Sequence, residues 1–153
     1  MDLVVAAVGT RMPAWIADGW QEYARRMPPH LKLDLIEVPV AGKAGAGRES
    51  TMEAERLLAR MPGGALGVAL EINARSWPTE KLAQRLEHWQ LDGRPVCFFI
   101  GGADGLDRSV LETCSERWSL GPATLPHMLV RVIVAEQLYR ASTILAGHPY
   151  HRA

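Results

Sequence analysis

Short apolar runs alternate with longer segments of helical periodicity along the whole chain, and this alternation most constrains the fold. Residues 3–8 and 96–100 are almost wholly apolar, which is typical of strands buried on both faces of a parallel sheet. Further strands are predicted at 31–40, 66–72 and 118–120. Helices are predicted at 13–27, 50–60, 78–92, after Asp107 and at 128–145. The pattern therefore predicts a single α/β domain over 1–153, with a mainly parallel sheet and helices on both faces.

Composition narrows the class of protein without identifying an activity. The chain has 153 residues, 48% of them apolar and 22% charged, as in ordinary globular domains. Lys plus Arg and Asp plus Glu both number 17, so affinity for nucleic acid cannot come from overall charge, although a local basic patch stays possible. Cys97 and Cys114 are too few for a disulfide framework or a zinc site. No signal peptide or apolar stretch of about 20 residues is present, so we expect a cytoplasmic protein.

The loops after the predicted strands are the first candidates for a ligand site. In open parallel sheets ligands bind beyond the carboxyl ends of the strands, which selects the loops after Ile72, Ile100 and Leu120. Gly101, Gly102 and the glycine three residues later can bring backbone N–H groups close to a ligand, although a tight turn alone would also use them. The spacing is not the Gly-x-Gly-x-x-Gly pattern, which disfavours a dinucleotide site.

Residues 120–125 form an uncharged, apolar loop. Such a loop suits an adenine ring held by backbone hydrogen bonds and apolar packing, but an ordinary buried connection has the same composition. The glycine-rich, basic segment at 41–48 resembles a phosphate loop only superficially, because Glu37 stands where a Walker motif requires glycine. We interpret it as a mobile loop whose Lys43 and Arg48 meet an anionic partner. A capping box at Ser50 and Glu53 is predicted to begin the next helix.

The C-terminal helix and tail carry an unusual set of polar residues. Arg131, Glu136 and Arg140 interrupt an otherwise apolar helix, and buried charges need partners; the last two are also spaced as an ordinary surface pair. The tail, residues 148–152, has two histidines but no third ligand, which disfavours a metal. Tyr150 and its basic neighbours better suit stacking on a base and holding a phosphate.

These segments together resemble the RlmH family of ribosomal RNA large-subunit pseudouridine N3-methyltransferases, within the SPOUT superfamily. The resemblance runs in order along the whole chain, through Val8-Gly-Thr-Arg-Met-Pro13, Leu91-Asp-Gly93, Phe99-Ile-Gly-Gly102, Trp118-Ser-Leu120, Thr124-Leu-Pro-His127, Leu129-Val-Arg-Val132, Ala135-Glu136, Leu138-Tyr-Arg-Ala141 and His148-Pro-Tyr-His-Arg152. It implies an α/β fold with a deep C-terminal trefoil knot, a homodimer, S-adenosyl-L-methionine as methyl donor, and N3 of a pseudouridine in 23S rRNA of the assembled ribosome as acceptor.

The resemblance also assigns site residues. The implied cofactor positions are Leu70, Gly101, Gly102, Leu120, Gly121, Pro122, Ala123, Thr124 and Leu125. The last helix and tail are expected to complete the acceptor site, partly across the dimer, through Glu136, Arg140, Tyr150, His151 and Arg152. His151 or Glu136 is the expected proton acceptor. A non-catalytic ribosome-binding or assembly factor on the same fold is the main alternative, and a small Rossmann-type oxidoreductase is a weaker one.

Overall fold

A computed structural model describes residues 1–42 and 48–152, and its centre is one five-stranded parallel sheet in the order β2-β1-β4-β3-β5. The strands are β1 (Asp2–Val8), β2 (Lys32–Val38), β3 (Leu66–Leu70), β4 (Val96–Ile100) and β5 (Glu116–Trp118). The helices are α1 (Ala14–Ala24), α2 (Glu49–Ala59), α3 (Thr79–Asp92), α4 (Arg108–Thr113) and α5 (His127–Ala146), followed by a 3-10 helix over Pro149–Arg152.

Helices cover both faces of the sheet, as the alternation predicted. Successive side chains of a strand point to opposite faces, and Leu3 and Val5 of β1 pack into one core while Val4 and Ala6 pack into the other. The first core receives side chains of α1, α3 and α5. The second receives side chains of α2 and α4. Both faces of β1 and β4 are therefore buried, which explains why these two strands read as continuous apolar runs.

The last strand was predicted at 118–120, but β5 lies two residues earlier, at Glu116–Trp118. The strand begins at Glu116, whose register partner is Val68 of β3, and its ladder ends at Trp118. Ser119 then leaves the ladder, and its N–H donates to the carbonyl of Arg75. Glu116 and Arg117 are polar because β5 lies at the edge of the sheet, so the apolar pattern could not reveal the start of this strand.

The capping box predicted at Ser50 and Glu53 was wrong. Helix α2 begins at Glu49, with Arg48 as the capping residue and no side-chain cap, so Ser50 lies inside the helix. The buried carboxylate of Glu53 accepts a hydrogen bond from the N–H of Ala41 at 3.2 Å, a longer-range partner that the local motif cannot specify. The prediction for Lys43 falls outside the described residues. Within the part of the chain that the structure describes, no helix is long and apolar enough to cross a membrane.

Candidate functional site

A cavity of about 420 Å³ opens at the carboxyl ends of β3, β4 and β5 and is bounded on one side by the first turn of α5. We call it the strand-end cavity. It is lined by Leu70, Glu71, Ile72, Asn73, Ile100, Gly101, Gly102, Ala103, Asp104, Gly105, Leu106, Trp118, Leu120, Gly121, Ala123, Thr124, Leu125, His127 and Val130. All of the residues predicted to bind a cofactor therefore line it, apart from Pro122, which is not among the lining residues.

The glycines after β4 are required by a tight turn on the cavity wall. The N–H of Gly105 donates to the carbonyl oxygen of Gly102 at 3.0 Å, and Gly105 has a φ of 77°. A Cβ on Gly101 would lie 2.5 Å from the carbonyl carbon and oxygen of Gly105. Because backbone cannot yield as a flexible side chain can, any larger residue at Gly101 must displace this wall of the cavity.

Ser119 fastens two of the three cavity loops together. Its hydroxyl lies 3.1 Å from the carbonyl oxygen of Ile72, to which it donates, and accepts from the N–H of Gly121 at 3.0 Å. Ser119 is buried, and Gly121 has a φ of 117°, in the region that favours glycine. The loops after β3 and β5 are thus held in a fixed relation by one hydroxyl group, which gives the cavity a preformed wall.

The polar lining of the strand-end cavity is acidic and neutral. Glu71 and Asp104 supply carboxylates, and no Lys or Arg is found among the described lining residues. His127 begins α5, and its Nδ1 is buried without a hydrogen-bond partner among the described residues. A buried polar atom without a partner is costly.

Three of the predicted acceptor-site residues form one cluster, which we call the tail cluster: Glu136, Arg140 and Tyr150. The Tyr150 hydroxyl donates to Oε2 of Glu136 at 2.9 Å. Nε of Arg140 donates to the same oxygen at 2.9 Å, and its guanidinium lies 4.8 Å from the centroid of the Tyr150 ring. Nε2 of Gln137 donates to the other oxygen of Glu136 at 2.8 Å. The i,i+4 spacing of Glu136 and Arg140 is that of an ordinary surface pair. In the structure Glu136 of this pair also accepts from Tyr150, so the pair anchors the tail to α5.

These contacts change how the cluster ionises. Burial raises the pKa of the Tyr150 phenol, and the hydrogen bond to Glu136 raises it further. The hydrogen bond to Glu136 also raises the pKa of Arg140. Tyr150 is therefore a neutral hydrogen-bond donor and Arg140 a permanent cation, and both donate to Oε2 of Glu136.

The tail cluster does not line the strand-end cavity of its own chain. His127 and Glu136 are nine positions apart on α5, which corresponds to about 13 Å along a helix. His151 is half-buried, with its Nδ1 unpartnered among the described residues, and Arg152 is exposed. The fold thus gathers eight of the nine residues predicted to bind a cofactor around one cavity but leaves the five predicted acceptor-site residues outside its lining.

Arg131 proves to be a structural residue of α5. Its side chain is fully buried, and Nη1 lies 2.6 Å from Oε2 of Glu37. Nη2 donates to the carbonyl oxygens of Val8 at 3.1 Å and Gly9 at 2.8 Å. The buried charge that suggested function in the sequence therefore joins α5 to the carboxyl ends of β1 and β2.

Sequence reasoning missed several polar residues of the cavity. Glu71, Asn73 and Asp104 line it but were not predicted as site residues. The strand-end rule had already selected the loops that carry them, so polar side chains directly after β3 and β4 were an available signal. His127, which also lines the cavity, ends one of the motifs that carry the family resemblance but was not predicted as a site residue.

Solved structures with the same fold support the architecture. A probable methylase family protein from Haemophilus influenzae Rd KW20 aligns with a TM-score of 0.57 and 13% identity, covering 97% of this chain and 69% of that one. A putative methylase family protein from Neisseria gonorrhoeae aligns with a TM-score of 0.52 and 16% identity, covering 90% and 81%. At such low identity the likeness concerns the fold alone.

Sequence comparison is far more specific. The family described as predicted SPOUT methyltransferase matches residues 1–151. Ribosomal RNA large subunit methyltransferase H of Azotobacter vinelandii is 48% identical over 155 aligned positions, covering 99% of this chain and 100% of the relative. The protein of that name from Pseudomonas aeruginosa is 49% identical with the same coverage. The chain therefore belongs to the SPOUT methyltransferases, and within them to the family of ribosomal RNA large subunit methyltransferase H.

Proposed function

We propose that this protein transfers a methyl group from S-adenosyl-L-methionine to N3 of a pseudouridine in large-subunit rRNA, with the assembled ribosome as substrate. The observation that carries the proposal is the full-length identity of 48–49% with proteins named ribosomal RNA large subunit methyltransferase H. Such a substrate places its activity in the cytoplasm. Membership of the SPOUT family is also the support for a deep trefoil knot in the C-terminal part of the chain.

The strand-end cavity fits S-adenosylmethionine in size and charge. Its volume of about 420 Å³ lies in the range of small-molecule sites. The ligand carries a positive sulfonium and a positive ammonium group, and the lining offers the carboxylates of Glu71 and Asp104. The uncharged loop around Ala123 and Thr124 suits the adenine ring.

The same lining argues against a nicotinamide dinucleotide. A pyrophosphate carries negative charge and is normally held by cations or by a glycine-rich turn that opens directly into a helix. Here two carboxylates line the cavity, and none of the described lining residues is Lys or Arg. The oxidoreductase alternative thus conflicts with the electrostatics of the site as well as with the glycine spacing.

The residues of the chain have two tasks in the proposed reaction. S-Adenosylmethionine supplies an activated methyl group, whereas the acceptor N3 carries a proton and is a poor nucleophile until that proton leaves. The loops of the strand-end cavity fix the donor side, and the tail holds and orients the base. We favour His151 over Glu136 as the proton acceptor, because both carboxylate oxygens of Glu136 already accept hydrogen bonds, from Gln137, Arg140 and Tyr150.

We further propose that two copies of the chain build the complete site. In one chain the tail cluster does not line the strand-end cavity, yet the reaction needs acceptor and donor in contact. Trp15 on α1 is 64% exposed, and α1 packs on α5, where a Cβ on Gly19 would lie 3.2 Å from the side chain of Val132. A homodimer through these two helices would cover Trp15 and bring the tail of one chain to the cavity of the other. Sedimentation of the wild-type protein and of Trp15→Glu checks this step.

Methyl transfer to isolated ribosomes tests the catalytic assignment. We expect His151→Ala to lower kcat by about 100-fold or more, in the range of general base removal, with unchanged affinity for S-adenosylmethionine. Glu136→Gln should lower the rate through the placement of the tail. Wild-type rates in both variants would contradict these roles. The same assay on protein-free rRNA should be much slower, since a small domain without net charge has little surface for reading an RNA hairpin alone.

The assembly-factor alternative makes a different prediction. A protein that only binds the ribosome needs no methyl donor, so calorimetry with S-adenosylmethionine should show no binding. Mass spectrometry of rRNA from cells that lack this protein gives the second measurement. Loss of one methylated pseudouridine supports the enzyme, whereas unchanged rRNA together with absent cofactor binding would support the assembly factor.

A further inference from the structure

A second groove of about 480 Å³ lies on the sheet edge, toward the amino ends of β3 and β5. Helix α3 forms one wall and β5 the other. The charged and imidazole side chains that line it are Lys81, Arg85, His88, Asp92, Arg94, Glu116 and Arg117. We call this surface the basic groove. It is separate from the strand-end cavity, with which it shares no lining residue.

Three basic side chains of the groove come from the same face of helix α3. Lys81, Arg85 and His88 are spaced i, i+4 and i+7 along α3, which places them on one face of the helix. Arg117 lines the groove from β5. Four permanent cations thus face two acids in a chain whose net charge is zero, so the groove concentrates positive charge that the rest of the surface balances.

The two acids are already occupied by two of the cations. Glu116 lies 2.7 Å from Nε of Arg85 and accepts from the indole of Trp89 at 2.9 Å. Asp92 pairs with Arg94 at 2.8 Å. Lys81 and Arg117 are exposed and form no ion pair within the described residues. They are therefore available to an anionic partner.

The basic groove and the strand-end cavity are both lined by residues of the edge strand β5. Arg117 lines the groove, and its neighbour Trp118 lines the cavity. Trp77, which also lines the groove, stacks on Trp118 with ring centroids 5.6 Å apart and an interplanar angle of 11°. From Glu116 to Leu120 the chain advances about 13 Å. A polymer engaged at the cavity can thus reach the groove within a short length.

We propose that the basic groove binds the phosphodiester backbone of the rRNA strand beside the nucleotide to be methylated, with Lys81 and Arg117 as its phosphate contacts. The inference rests on the proposed function and adds a binding surface to it. Phosphate contacts position an RNA without reading its sequence. A protein without net charge must concentrate such contacts in one place. The groove does so on the β5 edge of the sheet, where Trp118 lines the strand-end cavity.

The double variant Lys81→Ala/Arg117→Ala tests the proposal through methyl transfer to isolated ribosomal particles, assembled ribosomes included, at several salt concentrations. We expect KM for the particles to rise about tenfold, with kcat within about twofold and unchanged affinity for S-adenosylmethionine. The slope of log affinity against log salt should lose about 1.4 to 1.8 in magnitude, the value for two phosphate contacts. The matched control is Lys32→Ala/Arg108→Ala, which removes one Lys and one Arg with exposed side chains on β2 and α4. The control should behave like the wild-type protein.

Two results would overturn the proposal. One is a KM and a salt slope equal to those of the control. The other is weaker binding to particles with undiminished low-salt binding to protein-free rRNA, which would assign the groove to a ribosomal protein. If the wild-type protein transfers no methyl group to any particle, the proposed function fails. The rRNA-binding comparison then still tests the groove, because it requires neither cofactor nor turnover.

Discussion

The hydroxyl of Tyr150 donates a 2.9 Å hydrogen bond to Glu136, a residue 14 positions earlier in the chain, and so fastens the tail to helix α5. Tyr150→Phe removes this bond and keeps the ring that packs at 4.7 Å from Tyr139. We expect the tail to loosen by about 1 kcal/mol, the usual net contribution of one hydrogen bond. Amide hydrogen exchange at residues 150–152 should accelerate about fivefold, the factor that about 1 kcal/mol represents, while exchange within β4 stays unchanged. Equal protection of the tail in both proteins would contradict the anchor.

The docking of the tail should also depend on pH at the alkaline side. Burial, and then the hydrogen bond to Glu136, raise the pKa of Tyr150 above its ordinary value of 10.0. Below about pH 10 the phenol is protonated in the docked and free tail alike, so its contribution is complete. Above pH 10 the free tail ionises while the docked tail resists, so docking is lost as pH rises toward the docked pKa. Limited proteolysis of the tail between pH 8 and 11 measures this, and Tyr150→Phe should abolish the dependence.

Removal of the tail should separate activity from folding. A chain that ends at Gly147 loses Tyr150, His151 and Arg152 but keeps all five strands and α5. We expect methyl transfer to ribosomes to fall at least about 100-fold, the scale of lost acid–base assistance. The urea unfolding transition and the binding of S-adenosylmethionine should remain close to those of the full chain. Full activity of the truncated protein would show that the tail has no part in the reaction.

Removal of the buried Arg131 charge should strongly lower the free energy of unfolding. Its side chain is 0% exposed and pairs with Glu37 at 2.6 Å, so Arg131→Leu leaves that carboxylate and the carbonyls of Val8 and Gly9 without their donor. We expect a loss of about 3 kcal/mol in the free energy of unfolding. The double variant Arg131→Leu/Glu37→Leu should recover part of this lost stability, because it also removes the Glu37 carboxylate that the single variant leaves unpaired.

Urea denaturation of these variants should be compared with that of Arg25→Ala. Arg25 forms an ion pair with Glu22 on the surface of α1, and its side chain is 69% exposed. Exposed pairs are weakened by solvent, so this variant should unfold like the wild-type protein. An Arg131→Leu protein as stable as Arg25→Ala would show that the buried pair contributes nothing.

Gly101→Ala should damage the strand-end cavity. The new Cβ would lie 2.5 Å from the backbone of Gly105, so the turn after β4 must shift, at a cost of about 1–3 kcal/mol. We expect the affinity for S-adenosylmethionine to fall at least about tenfold by calorimetry. Gly63→Ala is the matched control, because a Cβ at Gly63 meets nothing within 4 Å. Similar affinities in the two variants would argue against the cavity as the cofactor site.

The elements that the sequence predicted well are those whose signal is local. Strand β4 has the bounds expected from its five apolar residues, because burial on both faces leaves no room for polar residues. The end of α3 at Asp92 was also predicted, because a glycine follows it. Gly93 caps the helix with a φ of 85°, a conformation that favours glycine. Strand β5 was misplaced because an edge strand tolerates Glu116 and Arg117, which local patterning cannot distinguish from a loop.

The sequence by itself determined the alternation of strands and helices, the loops that line the strand-end cavity, and the family. Each of these depends on neighbours in the chain or on motifs read in order. Only the tertiary structure decided that Arg131 pairs with Glu37, that Glu136 holds Tyr150, and that Lys81 and Arg117 line one groove. These relationships join residues far apart in the chain, and the role of a charged side chain depends on which charges the fold brings beside it and how much water it excludes.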